Sequence, residues 1–387
     1  MKYQHSNLNA SNCITIIFSE KLETQSAARN RAISFIKEFI NYGYSTILIS
    51  GDSNDYILFE HSQFTHLKVN LPSSKISSFF KRGLIESKNC IQLLKLSNTI
   101  NSSVLLISIP SMFLLHFSFI AKKPKHSIID IRDLSWEYLS EQSLSTKLIK
   151  QLFRIIAKFN LYKFKIISVT NPHEYDYINS NFNNKCIVKI PNGVTENAFK
   201  LLAHVTPNNT NKKTITYIGN IGLAQDLTTL LYAAQKLPQY YFNIVGDGTD
   251  MPRIRELSSQ LNLTNIKLWG RQNFDQLIPI YSNSDILYAQ LTSAYDGAMP
   301  SKLYEYLATG KFILFGGKGV AASTLAKFNH TKTIDSQNIE MLVTTIFNLL
   351  SDSQSTYLIN RINHENRNFI ENNFIREKTV KDLFKFL

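Results

Sequence analysis

Pro300-Ser301-Lys302-Leu303-Tyr304-Glu305-Tyr306-Leu307-Ala308-Thr309-Gly310 is the stretch whose reading decides the fold. It follows a strand-like run, Asp285–Leu291, and a short loop holding Gly297. A strand that stops at a glycine-bearing loop and restarts as a helix leaves backbone N–H groups pointing into that loop. Such a helix start favours phosphate, because the free amides and the helix dipole face the anion together. Glu305 falls on the first turns. There a carboxylate reaches the sugar hydroxyls of a nucleotide whose phosphates lie on the helix end. Small residues and Gly310 close the segment, as expected for a helix exit.

At 387 residues the chain predicts two domains of just under 200 residues. Hydrophobic residues make up 44% and aromatics 12%, ample for packed cores. The net charge of +13 points to an anionic partner. No compact Lys/Arg cluster with interleaved aromatics marks a nucleic-acid footprint, so none is expected. Cys13, Cys90 and Cys186 lie far apart, form no metal-ligand spacing, and fit a reducing cytoplasm. The first residues are polar and the apolar run Cys13–Phe18 is short, so no signal peptide is expected. Ser102 to Ala121 is uncharged and long enough to span a bilayer, but Pro110 divides it. It reads as strand, Pro turn and helix.

The rest of the chain alternates short apolar strands with helical patterns. In the first half the strands are Cys13–Phe18, Thr46–Ser50, Val104–Ile109, His126–Ile131, Lys165–Val169 and Cys186–Ile190. Helices follow at Gln25–Asn41 and after Asn171-Pro172, and Pro191-Asn192-Gly193 closes the half with a turn. In the second half the strands are Thr214–Ile218, Tyr241–Val245, Asn265–Trp269, Asp285–Leu291 and Phe312–Phe315. This order predicts an α/β chain of two doubly wound, Rossmann-like domains with parallel sheets. The final segment, Asn363–Leu387, reads as a charged helix.

Two further turns carry glycines. Gly219-Asn220-Ile221-Gly222 lies between the strand ending at Ile218 and a helix expected near Ala224. Gly246-Asp247-Gly248 ends the next strand. Glycines at such turns let backbone approach a ligand closely. A dinucleotide fingerprint is disfavoured, because Met251 stands at the third glycine position. The following strand ends in Trp269-Gly270-Arg271, without an acidic residue for an adenosine ribose.

Tyr217–Gly222, Val245–Gly248 and Pro300–Ala308 together resemble, in order, the motifs of retaining GT-B glycosyltransferases of family four. Asp130-Ile-Arg-Asp-Leu134 and Pro191-Asn-Gly-Val194 resemble the branch that transfers amino sugars to lipid-linked acceptors in bacterial surface polysaccharides. The resemblance implies the GT-B arrangement, two Rossmann-like domains facing a central cleft, with a C-terminal helix crossing back to the first. The expected boundaries are 1–190, with 364–387 returning, for acceptor binding, and 191–363 for the nucleotide sugar. It implies transfer of a sugar from a nucleotide donor, a UDP-sugar expected, to a lipid-linked or glycan acceptor with retention. The expected location is the cytoplasm, peripheral on the inner face of the plasma membrane. No cofactor and no bound metal are expected. Asp52-Ser-Asn-Asp55 lacks the Asp-x-Asp pattern of metal-dependent enzymes.

The resemblance implies donor contacts from Gly219, Asn220, Gly222, Gly246, Gly248, Arg271, Gln272, Ser301, Lys302 and Glu305. Asp133 and Lys302 are the catalytic candidates. Arg132 is the phosphate-facing partner of Asp133, and the alternative for the two is a plain ion pair. Gly297 occupies the position where many family members carry a second glutamate, with Asp296 beside it. Asn220 and Gln225 occupy the positions of the usual Arg and Lys, so the leaving diphosphate must find its positive charge elsewhere. Arg271, Lys302 and the helix N-terminus are the candidates. His116, His126 and His173 read as structural. Lys147–Lys165 is basic and amphipathic, and with Ser77–Arg82 suits an anionic membrane surface, through Lys150, Arg154 and Lys158. Two alternatives remain, a nucleotide-sugar epimerase on the same fold and a degenerate, non-catalytic GT-B subunit.

Overall fold

The structure is a computed structural model that describes residues 12–23, 26–52, 61–72, 79–109, 111–139, 141, 143–183 and 185–387. The chain divides into two compact units, Met1–Asn192 with Arg376–Leu387, and Gly193–Ile375.

The first unit runs β1 (Cys13–Lys21), α1 (Ala27–Asn41), β2 (Ser45–Gly51), β3 (Phe64–Val69), α2 (Phe79–Ser97), β4 (Val104–Ile109), α3 (Met112–His116), β5 (His126–Ile131), α4 (Leu144–Leu161), β6 (Ile166–Val169), α5 (Pro172–Asn181) and β7 (Cys186–Lys189). Its seven strands are parallel in the order β3-β2-β1-β4-β5-β6-β7. Strand β4 is buried along its whole length, as expected of a central parallel strand covered on both faces. Local chemistry starts the helices. The Ser26 hydroxyl accepts from Arg29 N at α1, Ser143 and Thr146 form a capping box at α4, and Pro172 follows the Asn171 cap at α5.

The second unit runs α6 (Glu196–Leu202), β8 (Thr214–Ile218), α7 (Thr228–Lys236), β9 (Tyr241–Val245), α8 (Met251–Gln260), β10 (Ile266–Gly270), α9 (Phe274–Ser282), β11 (Ile286–Gln290), α10 (Ser301–Thr309), β12 (Phe312–Gly316), α11 (Gly319–Leu325), β13 (Thr331–Ile334), α12 (Ile339–Ser351), α13 (Ser353–Asn360) and α14 (His364–Asn373). Its six parallel strands lie in the order β10-β9-β8-β11-β12-β13. Strands β8, β11 and β12 are buried throughout.

Ser102–Ala121 is not a span. It holds β4, α3 and a 3-10 turn at Ser118–Ile120, and no described helix is long and apolar enough to cross a membrane. The expected return of 364–387 to the first unit is corrected to Arg376–Leu387. Helix α14 stays with the second unit for an electrostatic reason. The Arg367 guanidinium donates to the carbonyls of Thr309, Val205 and Ala203, which end α10 and α6. A cation suits these orphan C-terminal carbonyls. The single helix expected over Asn363–Leu387 is broken where Ile375 bridges Val194. Beyond it, α15 (Arg376–Val380) and a 3-10 turn pack on α1, with Phe384 stacked 4.0 Å from Tyr42 and Arg376 Nε donating to Asn192 O.

Candidate functional site

In the second unit the strand order reverses between β8 and β11. Loops leaving adjacent strands to opposite sides open a crevice at their C-terminal ends, where α/β sheets take ligands. The candidate donor residues lie on the loops around that point. Tyr306 of α10 fixes the geometry: its hydroxyl accepts from Ile218 N at 2.7 Å and donates to Ile218 O at 3.0 Å. The second turn of α10 is thus bolted to the last residue of β8. Thr292 N, in the loop after β11, donates to Ala224 O at 2.9 Å and ties the two loops directly.

No side chain caps α10, and Leu303 N turns back to Pro300 O at 3.1 Å, which leaves the amides of Ser301 and Lys302 for a ligand. Lys302 and Glu305, read separately from the sequence, face each other at 2.6 Å across one helical turn. Both are partly exposed, and the Tyr281 hydroxyl lies 3.5 Å from the same carboxylate oxygen. Lys302 is therefore not a free cation; its charge is shared with Glu305. Burial raises the Tyr281 pKa well above its usual value, so this phenol stays a donor.

The β8 turn is closed by hydrogen bonds. Tyr217 Oη donates to Asn220 O at 2.5 Å, and Gly219 N and Ile221 N donate to the carbonyls of Val245 and Asp247. This close approach explains Gly246 and Gly248. A Cβ on Gly246, whose φ is +137°, would sit 1.8 Å from Gly219 O, and one on Gly248 would sit 2.1 Å from Ile221 O. Both glycines fit backbone to backbone, a role separate from the ligand contact expected of them. Gly222 differs: a Cβ there meets side-chain ends alone, those of Asn220 and Gln225 at 3.0 and 3.1 Å and of Thr249 at 3.9 Å. Those two amides lie 3.5 Å apart as a neutral pair across the turn.

The helix expected near Ala224 begins at Thr228, because Asp226 takes a positive φ of 37°. Burial works against ionisation of Asp226. Donors from Gln337, Thr228 and Arg253 outweigh it and hold its carboxyl below the usual range.

Arg271 is exposed on the loop after β10 and makes no ion pair among the described residues. Gln272 turns its amide back onto Trp269 O at 2.9 Å. The loop bearing Asp296 and Gly297 is held from the other side, where Val320 N donates to Asp296 O at 2.8 Å. Asp296 Oδ1 is buried with no hydrogen-bond partner among the described residues. The Gly316-Gly317-Lys318-Gly319 loop that supplies this support was missed in the sequence, although the glycine run after a strand marks it.

In the first unit, Asp130 of the Asp130–Leu134 motif is structural. It is fully buried, pairs with Arg31 at 2.6 Å, and accepts from Ser108 and Ser168 hydroxyls. The ion pair considered for Arg132–Asp133 thus belongs to Arg31–Asp130. Asp133 lies just beyond β5. Burial pushes its carboxyl pKa up, countered by a hydrogen bond from Ser135 and the charge of Arg132. Burial and the neighbouring Arg31 push the Arg132 pKa down, and its Nε has no partner among the described residues. Glu174, not singled out in the sequence, is buried at the start of α5 and accepts from Thr170 N at 2.6 Å and Asn171 Nδ2 at 2.9 Å. Burial raises its pKa to about 8.

His116 is a core residue, its ring nitrogens on the carbonyls of Met112 and Phe153. Most of Asp52–Asp55 and part of Ser77–Arg82 lie outside the described residues. Among those described, no group of three or more His, Cys, Asp or Glu is placed to hold a metal. The expected lipid contact of Lys150 is corrected, while Arg154 is exposed but already paired. Lys150 is buried against Glu141 at 2.7 Å, and Arg154 grips Glu137 through Nε at 2.8 Å and a second nitrogen at 2.5 Å. Lys158 remains exposed.

Residues 200–373 match the family model described as glycosyl transferases group 1. A 103-residue stretch is 37% identical to the putative colanic acid biosynthesis glycosyl transferase WcaI of Escherichia coli K12. That stretch covers 26% of this chain and a quarter (25%) of that protein. In three dimensions the chain is similar to sucrose-phosphate synthase from Thermosynechococcus elongatus, with a TM-score of 0.76 at 15% identity over 97% of this chain and 98% of that one. It is also similar to Anabaena Alr3699/HepE in complex with UDP-glucose, with a TM-score of 0.68 at 13% identity over 97% and 100% of the two chains. The fold is therefore GT-B, two Rossmann-like domains with parallel sheets, and its second unit is similar to the glycosyl transferases of group 1.

Proposed function

We propose that this protein is a retaining glycosyltransferase that moves a sugar from a nucleotide donor, UDP-linked, to a lipid-linked or growing glycan acceptor in bacterial surface-polysaccharide synthesis. The observation that carries this reading is the junction in the second unit, where Tyr306 bolts α10 to the end of β8, the start of α10 has no side-chain cap, and Glu305 lies one turn in. The amides of Ser301 and Lys302 at that start donate to the diphosphate oxygens, and the Glu305 carboxylate accepts from the ribose hydroxyls. The match to the group 1 family and the likeness to a UDP-glucose complex support it.

As the sugar leaves, negative charge grows on the diphosphate. Donors already aimed at that charge lower the barrier most. Lys302, released from Glu305 when the carboxylate turns to ribose, and Arg271 supply the cationic part. Charge is thus met by protein groups without a bound metal, and turnover in the presence of EDTA tests that. Asp133, with its raised pKa, acts on the acceptor hydroxyl. The site of action is the cytoplasmic face of the plasma membrane. The neutral Asn220–Gln225 pair favours one second reading, a subunit that binds sugar nucleotide without turnover.

The test is calorimetry with UDP, GDP, TDP and CMP, followed by transfer from the matching sugar nucleotide. Glu305→Gln should weaken UDP binding and abolish transfer with folding intact. UDP affinity equal to wild type in that variant defeats the assignment. Binding without transfer to any lipid or glycan acceptor supports the second reading.

A further inference from the structure

Helix α4 carries a second apolar stripe that faces away from the core of its own unit. Its buried side is Lys150, Ala157, Asn160 and Leu161. On the other side Leu144, Leu148, Leu152, Ile155 and Phe159 are 82, 71, 55, 65 and 60% exposed. Their spacing of four, four, three and four places them on one face of a helix. At 1.5 Å per residue the stripe is about 22 Å long. Soluble surfaces leave single apolar side chains exposed, but a contiguous row of this length marks a contact surface.

The charge beside the stripe identifies the contact. Helix α4 contains no Asp or Glu, and Lys147 and Lys158 are exposed along one flank, with Lys163 and Lys165 just past the end. Glu141 and Glu137, the acids near this helix, are already paired with Lys150 and Arg154. What remains is an apolar row with uncompensated positive charge. A second copy of this chain packed antiparallel on the stripe would set Lys147 near its partner's Lys158, like charge against like. An anionic lipid interface instead takes the apolar row into its acyl boundary and the lysines among its phosphates.

We infer that α4 lies in the plane of an anionic phospholipid interface, with Leu144, Leu148, Leu152, Ile155 and Phe159 inserted and Lys147 and Lys158 on the headgroups. This deepens the reading of a membrane-surface enzyme by naming the surface. The experiment needs no donor or acceptor, so its failure and the failure of the glycosyltransferase reading are separate results.

Full-length protein is sedimented with phosphatidylcholine vesicles and with phosphatidylcholine–phosphatidylglycerol vesicles at low and high salt. The wild type should partition onto the mixed vesicles, and salt should weaken it. L148S/L152S/F159S, all at exposed positions, should keep the wild-type melting temperature and lose binding by about a hundredfold. K147Q/K158Q should lose about thirtyfold and part of the salt dependence, the rest staying with Lys163 and Lys165. Wild-type binding by the triple serine variant overturns the inference, and so does no binding by the wild type. A wild-type dimer that the triple serine variant converts to monomer, without vesicle binding, overturns it in favour of a second copy.

Discussion

Gly246→Ala and Gly222→Ala should fail in different ways, and the contrast tests how the β8 and β9 turns are built. At Gly246 the new Cβ would lie 1.8 Å from Gly219 O, with the backbone at φ +137°. The obstacle is backbone that is itself hydrogen-bonded to Val245, so it cannot swing aside as a side chain would. Holding alanine in that region costs about 1–3 kcal/mol, and relieving the overlap about 1–3 kcal/mol more. The smaller entropy of the unfolded alanine chain returns about 0.4–1 kcal/mol. The net loss is about 2–5 kcal/mol, a fall of roughly 5–15 °C for a unit of this size. At Gly222 the Cβ meets the amide ends of Asn220 and Gln225, which can rotate, and touches the Thr249 hydroxyl at ordinary contact distance. Gly222→Ala should melt within about 2 °C of wild type while weakening UDP binding, because its methyl stands in the open turn. Thermal melts and UDP calorimetry on both variants decide the matter. A Gly246→Ala protein as stable as wild type would show that the glycine is not needed for backbone packing.

Three further outcomes follow from the first unit and from α10. Asp130→Ala strands a fully buried guanidinium and should cost about 3–5 kcal/mol, read as a fall in the urea midpoint; an unchanged midpoint rejects the pairing. Glu174 has its folded pKa raised to about 8, so folding favours its neutral form. That contribution is full below the unfolded carboxyl pKa and is lost as pH rises towards 8. Glu174→Gln should therefore gain in melting temperature relative to wild type on going from pH 5 to pH 8, and a constant difference refutes the burial argument. Lys302→Ala should lower the transfer rate more than UDP affinity, and Arg271→Ala should weaken both; near-normal turnover in the double variant leaves the diphosphate to backbone amides alone.

Most strands and their parallel pairing were legible because central strands are continuous apolar runs, such as Val104–Ile109 and Thr214–Ile218. The two that escaped, β3 and β13, lie at sheet edges. Phe64-Thr-His-Leu-Lys-Val69 and Thr331-Lys-Thr-Ile334 mix polar and apolar residues because one face meets solvent. The break between α14 and α15 was hidden for another reason. Nothing in Asn363–Leu387 forbids one helix locally; Ile375 leaves the helix because it pairs with Val194, far away in sequence.

The candidate site divides along the same line. Helix-start grammar located α10 and put Glu305 on its first turns, since strand, glycine loop, proline and carboxylate all lie within a short stretch. Partners set by the fold did not show. Asp130 and Arg31 are 99 residues apart, and so Asp130–Leu134 read as an acceptor motif when its first carboxylate is a core ion pair. Helix α4 is the sharpest case. Apolar side chains cover more than half of the circumference of Leu144–Leu161, so its pattern alone does not say which part of that arc meets the core. The cations beside it all looked available for lipid. Once Glu137 and Glu141 are placed, Lys150 and Arg154 are consumed in ion pairs, and the surface that remains is defined by Leu148, Leu152 and Phe159 with Lys147 and Lys158 at its edge. Any lipid affinity of this unit should then follow the apolar row first and the lysines second. This reverses the order that net charge alone would give.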